Sequence, residues 1–243
     1  MTEQRPRAFY AAPVGGWRDW WTILHPPYTA WHLSYVVIGA CLAPHVDGGR
    51  LLMTLAAFFT AVGVAAHALD ELHGRPLRTK IPSRALVAAS VLGLAVAVAI
   101  GVVGVTEVGW VLLPFVIVGP VLALAYNLEW FGGFVHTDLG FALSWGAFPV
   151  VTAYVAQTDT IRAAAIVAAI AATGLSLAQR ALSTPARALR RRVATVDGTM
   201  VSTDGTVTPI THATLLAPLE FTLRVLSWSV VALAVALAVA RFG

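Results

Sequence analysis

Residues 85–104 read ALVAASVLGLAVAVAIGVVG, twenty positions without a charge. A helix rises about 1.5 Å per residue, so this run matches the roughly 30 Å hydrocarbon core of a bilayer. No other feature constrains the chain as strongly. Lipid offers no partner to a backbone N–H or C=O, so only helices and closed barrels can cross it. Barrel strands alternate apolar and polar residues with period two, and this run does not alternate. The same signature recurs along the chain, and seven spans are expected, at about 28–44, 51–69, 84–104, 108–126, 138–156, 161–181 and 221–240. Only 12% of residues are charged, about half the usual share for a soluble domain. The expected fold is an all-α polytopic transmembrane bundle, its Ala- and Gly-rich spans packing closely.

Residues 1–27 read as a cytoplasmic N-terminal segment and 28–241 as the transmembrane domain, with cytoplasmic loops at 70–83 and 182–220. Trp17, Trp20 and Trp21 stand beside Arg18 and Asp19, the composition of a helix lying in the membrane interface. His25-Pro26-Pro27 then breaks that helix. In the second loop DGTMVSTDGTVTP, residues 197–209, reads as a small hairpin. No apolar core follows the basic N-terminal residues at the distance a cleavable signal requires. The single cysteine, Cys41, excludes an internal disulfide.

Charge gives the orientation. With the N-terminus inside, Arg5, Arg7, Arg18, Arg75, Arg78, Lys80, Arg84, Arg180, Arg187, Arg190, Arg191, Arg192 and Arg224 fall on the cytoplasmic side, and only Arg50, Arg162 and Arg241 outside. Thirteen against three satisfies the positive-inside rule. The C-terminus is then external, and the setting expected is a bacterial or archaeal plasma membrane. The basic isoelectric point reports this topology, and no nucleic-acid partner is expected.

Polar chemistry concentrates in AHALDELHGRPLRTKIPSRAL, residues 66–86. At 100° per residue His67, Asp70 and Glu71 share an arc of about 100°, so all three can face one way, with His73 further round. Carboxylates there suit Mg²⁺ completed by substrate phosphates; imidazole with carboxylate suits Zn, Fe or Mn. Arg75, Arg78 and Lys80 can clamp a phosphate or serve topology alone. A second cluster, Asn127, Glu129, His136 and Asp138, lies on the same side. His136 and Asp138 can complete a metal site with His67, Asp70 and Glu71, or simply cap a helix. His32 is either a buried hydrogen-bonded side chain or a pocket wall.

The acidic end of the second span followed by RPLRTKIPS resembles the first aspartate-rich loop of the UbiA-type intramembrane prenyltransferases. LHPPYTAWHLSYVVIGACLAP resembles that family's opening helix, and FGGFVHTDLGFALSWGAFPVVTAYVAQT its menaquinone-synthesis branch. The resemblance covers about residues 20–180. It implies a helical bundle with a lipid-accessible cavity in which Mg²⁺ bridges two acidic loops and a prenyl diphosphate. This sequence departs from that pattern where the second acidic loop belongs: SLAQRALSTPARALRRRV holds no carboxylate. If Arg180, Arg187 and Arg191 continue the sixth helix they form one stripe, suited to a phosphate or an anionic headgroup.

Three functions follow. The first is a UbiA-like enzyme acting on an isoprenoid or other lipid at the cytoplasmic leaflet. There His67, Asp70 and Glu71 hold one divalent metal or move a proton, and Asn127, Arg75, Arg78, Lys80, Arg180 and Arg187 bind the substrate. The second is a non-catalytic lipid- or partner-binding relative. The third is a His/carboxylate transition-metal enzyme. A homo-oligomer or a partner membrane protein is compatible with each. A transporter fits less well, because transport sites lie near the midplane on broken helices.

Overall fold

The computed structural model describes residues 8–243; Arg5 and Arg7 of the orientation count lie outside them. A short helix, α1 (Trp17–Ile23), carries Trp17, Trp20 and Trp21 exposed on its surface. Next comes α2 (Pro26–Cys41), started by Pro26 after His25. The remaining long helices are α3 (Gly48–Leu72), α4 (Ser83–Val108), α5 (Trp110–Asn127), α6 (Asp138–Thr158), α7 (Ala163–Arg192) and α8 (His212–Phe242). Among the described residues these six are long and apolar enough to cross a membrane, and the chain is a helical integral membrane protein.

The first expected span, 28–44, differs. α2 has 16 residues, about 24 Å at the standard rise, which is short of the hydrocarbon thickness. Its place explains its composition: Trp31, Tyr35, Val36 and Ala40 are fully buried, and α6 and α8 pack along it. α2 is thus the axis of the bundle rather than a lipid-facing wall. Its Tyr35 hydroxyl reaches α7, donating to the Ala172 carbonyl at 3.2 Å.

Two other expectations shift at helix ends. The loop expected at 70–83 begins later, because the helix runs on to Leu72. The loop expected at 182–220 shrinks from both sides. Leu and Arg are good helix formers, and α7 carries its arginines to Arg192, where cations suit the C-terminal dipole. Thr211 starts α8 early with a reciprocal cap: its hydroxyl accepts the Thr214 N–H, and the Thr214 hydroxyl accepts the Thr211 N–H. Between them stands the expected hairpin, β1 (Thr199–Val201) antiparallel to β2 (Val207–Pro209), with Met200 opposite Thr208.

Seven helices run alternately between two ends. One end is tied by Arg241 Nε donating to the Cys41 carbonyl at 2.8 Å, Asp47 N–H to Gln157 Oε1 at 2.8 Å and Arg50 to the Glu107 carbonyl at 3.4 Å. The other end holds His25, Asp70, Asn127, Asp138 and the arginines of α7. Arg50 and Arg241 thus stand at the end opposite the α7 arginines, the segregation expected from their order.

Two of the helices widen to π geometry, over Phe59–Ala66 in α3 and Leu143–Ala147 in α6. Each widened turn meets a glycine on a neighbour or carries one against it. A Cβ on Gly93 of α4 would stand 2.6 Å from the Thr60 carbonyl, and one on Gly146 would stand 2.6 Å from Ser176 Oγ of α7. Only glycine lets these backbones approach so closely.

Candidate functional site

At the arginine-bearing end, α2, α3, α5, α6 and α7 enclose a cavity of about 420 Å³, the size of a small-ligand site. It gathers residues that the sequence scatters over 180 positions. His67 and Asp70 come from α3, Asn127 from α5, His136 from the following turn, and Arg180, Arg187 and Arg191 from α7. Part of each polar cluster and the arginine stripe therefore share one chamber.

Other expected residues stand elsewhere. Glu71 is fully buried but belongs to the loop: its Oε2 accepts the Leu77 N–H at 2.9 Å, and its Oε1 accepts the Thr79 N–H at 2.8 Å and the Thr79 hydroxyl at 2.9 Å. An arc of about 100° is wide enough to send Asp70 into the cavity and Glu71 away from it. Asp19 does similar work from α1, accepting the Lys80 N–H at 2.9 Å. Arg75, Arg78 and Lys80 do not line the cavity. Arg75 turns back on its own loop, donating to the Ile81 carbonyl at 2.6 Å and Ser83 Oγ at 2.7 Å, while Arg78 and Lys80 are exposed. The basic residues of this loop thus stand outside the cavity, and the arginines that line it are those of α7. Asp138 does not line the chamber, and its Oδ1 accepts from Arg180 at 2.7 Å.

This splits the expected ligand set of His67, Asp70, Glu71, His136 and Asp138. Among the described residues no three His, Cys, Asp or Glu side chains stand close enough together to hold one metal ion. The donor chemistry agrees. The cavity wall presents one carboxylate, Asp70, and five arginines, whereas a hard cation needs several oxygen ligands. The residues present do not fit a carboxylate-bridged Mg²⁺ site.

The histidines are held in a common way. His32 Nδ1 donates to the Trp145 carbonyl at 3.0 Å, His67 Nδ1 to Gly63 at 3.2 Å, and His136 Nδ1 to Tyr126 at 2.9 Å. A carbonyl only accepts, so each Nδ1 carries a proton, and in the neutral form of such a ring Nε2 is the acceptor. Gly63 and Trp145 belong to the two π segments, so the widened turns supply the carbonyls that orient two of the rings. His32 thus fills both roles open to it, hydrogen-bonded and lining the cavity.

Sequence reasoning read His25 only as a helix breaker. Its backbone is left-handed, φ 45°, a conformation that costs an ordinary side chain about 1–3 kcal/mol and recurs at functional sites. Its ring lies 4.6 Å from that of His67 and 5.1 Å from that of Tyr10, and its Nε2 is buried without a partner. Burial, then the nearby His67 and the arginines, hold its pKa well below the usual histidine value. Burial likewise raises the Tyr10 phenol above its ordinary value. Gln179, also unanticipated, leaves Oε1 buried and unpartnered on the same wall.

A second, narrower and almost wholly apolar groove of about 110 Å³ lies between α3, α4, α5 and α6. Phe58, Gly101, Pro120 and Phe148 line it, and Val62 and Trp145 line both it and the polar cavity. The two compartments meet at those side chains, beside both π segments. Compared with protein-family models, curated proteins and solved structures, the chain matches none of them.

Proposed function

We propose that this chain takes a phosphate-headed isoprenoid or comparable lipid from the cytoplasmic leaflet and acts on it as a UbiA-like membrane enzyme. One observation carries the reading: a cationic headgroup chamber and an apolar groove share the walls Val62 and Trp145. An amphiphile fits such a pair and neither compartment alone, since its chain gains from leaving water while its charge needs paired donors. The order of polar motifs that resembles the UbiA family supports the same substrate class, and the positive-inside count supports a cytoplasmic position for the chamber.

Within this reading Arg187 and its neighbours on α7 meet the headgroup and any charge developing on its oxygens. His67, oriented by Gly63, and Asp70 are the proton-accepting groups beside it. A non-catalytic lipid binder is the second reading, favoured by the commitment of Glu71 to its loop and of Asp138 to Arg180.

Full-length protein incubated with a prenyl diphosphate, followed by mass spectrometry of bound and released lipid, tests both. The enzyme reading expects the lipid to bind and be converted, with conversion lost in His67→Ala. Binding without conversion selects the second reading. No binding of any phosphate-headed lipid contradicts both.

A further inference from the structure

We infer that the chamber binds the phosphate or diphosphate group directly through the arginines of α7, without a bridging divalent cation. The inference rests on the amphiphile reading above and adds how the headgroup is recognised. Three observations carry it.

The first is charge balance. Arg180, Arg187, Arg190, Arg191 and Arg192 all line the chamber, against Asp70 on the same wall. Two further carboxylates pair with these arginines without lining the chamber, Asp138 on Arg180 and Glu220 on Arg190. Five cations facing three anions leave a net positive chamber, the reverse of a metal-holding site. An anion restores the balance; a divalent cation worsens it.

The second is a division of labour. Glu220 holds Arg190 and Asp138 holds Arg180, and these two pairs fasten α7 to α8 and α6. Arg187 stands between them with no carboxylate in ion-pair range among the described residues; its guanidinium touches only Thr184 Oγ1, at 3.4 Å. Two framed arginines thus flank one whose planar donor fork remains available, the geometry that grips phosphate oxygens in pairs.

The third is what accompanies the arginines. Ser183 and Thr184, within a turn of Arg187 on α7, line the chamber as well and add hydroxyl donors. Asp70 lies within electrostatic reach of Arg187 and Arg191. In a metal site that carboxylate is indispensable. Here it competes with the ligand for the same guanidinium groups, so its removal has the opposite sign.

The test is titration of inorganic pyrophosphate, and separately of a C15 prenyl diphosphate, into detergent-solubilised full-length protein, in EDTA and in Mg²⁺. The inference expects the prenyl diphosphate to bind in EDTA, no more tightly in Mg²⁺. Arg187→Ala should weaken it about tenfold or more, the scale of one charge-assisted contact. Arg187→Lys should retain part of the affinity, and added NaCl should lower it. Asp70→Asn should tighten binding roughly several-fold by lifting a repulsion. Pyrophosphate competing at the same site identifies the headgroup as the feature bound. Binding that needs Mg²⁺ and vanishes in Asp70→Asn overturns the inference while leaving the amphiphile reading intact. So does binding in EDTA unaltered by Arg187→Ala in protein that unfolds like wild type. No binding of prenyl diphosphate under any condition overturns both.

Discussion

Arg180 grips one oxygen of Asp138, with Nε and Nη2 each 2.7 Å from Oδ1. The contact joins the middle of α7 to the first residue of α6 at the rim of the chamber. It also explains why Asp138 is unsuited to the metal role its position invites: its charge already has a partner. The Asp138 side chain is 60% exposed, and exposed ion pairs contribute at most about 1 kcal/mol. Asp138→Asn should therefore lower unfolding free energy by no more than about 1 kcal/mol in denaturant titrations. A stabilisation by added Mg²⁺ or Zn²⁺ that this substitution removes would contradict the assignment.

Glu71 behaves differently, because it is fully buried and satisfies three donors of the 77–79 stretch. Hydrogen bonds to charged groups contribute about 1.5–3 kcal/mol each, and an abandoned buried donor adds its own desolvation cost. Glu71→Ala should destabilise the protein by about 3 kcal/mol or more, and limited proteolysis should open the 73–82 loop. Asp70→Asn should leave both unchanged. Equal sensitivity of the two variants would mean that the loop does not depend on Glu71.

His25 gives the fold a pH dependence of definite sign. Its pKa lies well below the ordinary 6.5 when folded. Below about pH 6.5 the unfolded chain takes up a proton there that the native chain refuses, so stability falls as pH falls and is constant in this respect above it. Thermal unfolding should show this decline, and His25→Asn should shrink it. The groups facing His25 are Tyr10, Tyr28, His67, Arg187, Arg190 and Arg191; adding a proton there increases repulsion with each arginine. A decline of unchanged slope in His25→Asn would assign the effect to another group.

Gly93 tests the packing at the first π segment. A Cβ there would meet the Thr60 carbonyl at 2.6 Å and Ala65 Cβ at 3.0 Å. Overpacking of this kind costs about 1–3 kcal/mol. Gly93→Val should destabilise within or above that range and loosen the carbonyl of Gly63 that orients His67, visible as a lower affinity for the prenyl diphosphate. Wild-type stability in Gly93→Val would show that the helices separate freely at this point.

The spans were legible because uncharged runs such as 85–104 admit few structures. The chamber was legible in part: His67, Asp70, Asn127, His136, Arg180 and Arg187 all carry polar chemistry into an apolar chain, and all reach it. Three things were hidden. FTAVGVAA reads the same as an α-turn or a π-turn, since a segment apolar all round has no period to measure. Glu71 and Asp70 share an arc, and only the fold of the 73–82 loop decides which one it captures. His25 looked like part of a Pro-Pro break, whereas its left-handed backbone and its ring contacts with Tyr10 and Tyr28 lie beyond the reach of local propensity. Arg187–Arg192 looked like a loop because charge seldom continues a membrane helix; here the helix outruns the hydrocarbon.

The most direct test of the account is photocrosslinking of full-length protein in lipid with a prenyl diphosphate carrying a diazirine on its chain. Peptide mapping should place the chain on groove residues such as Phe58, Pro120 and Phe148, with labelling suppressed in Arg187→Ala and competed by unlabelled prenyl diphosphate. Labelling confined to the outer faces of α4 and α8, insensitive to Arg187 and to competitor, would contradict the claim that headgroup chamber and apolar groove serve one amphiphile.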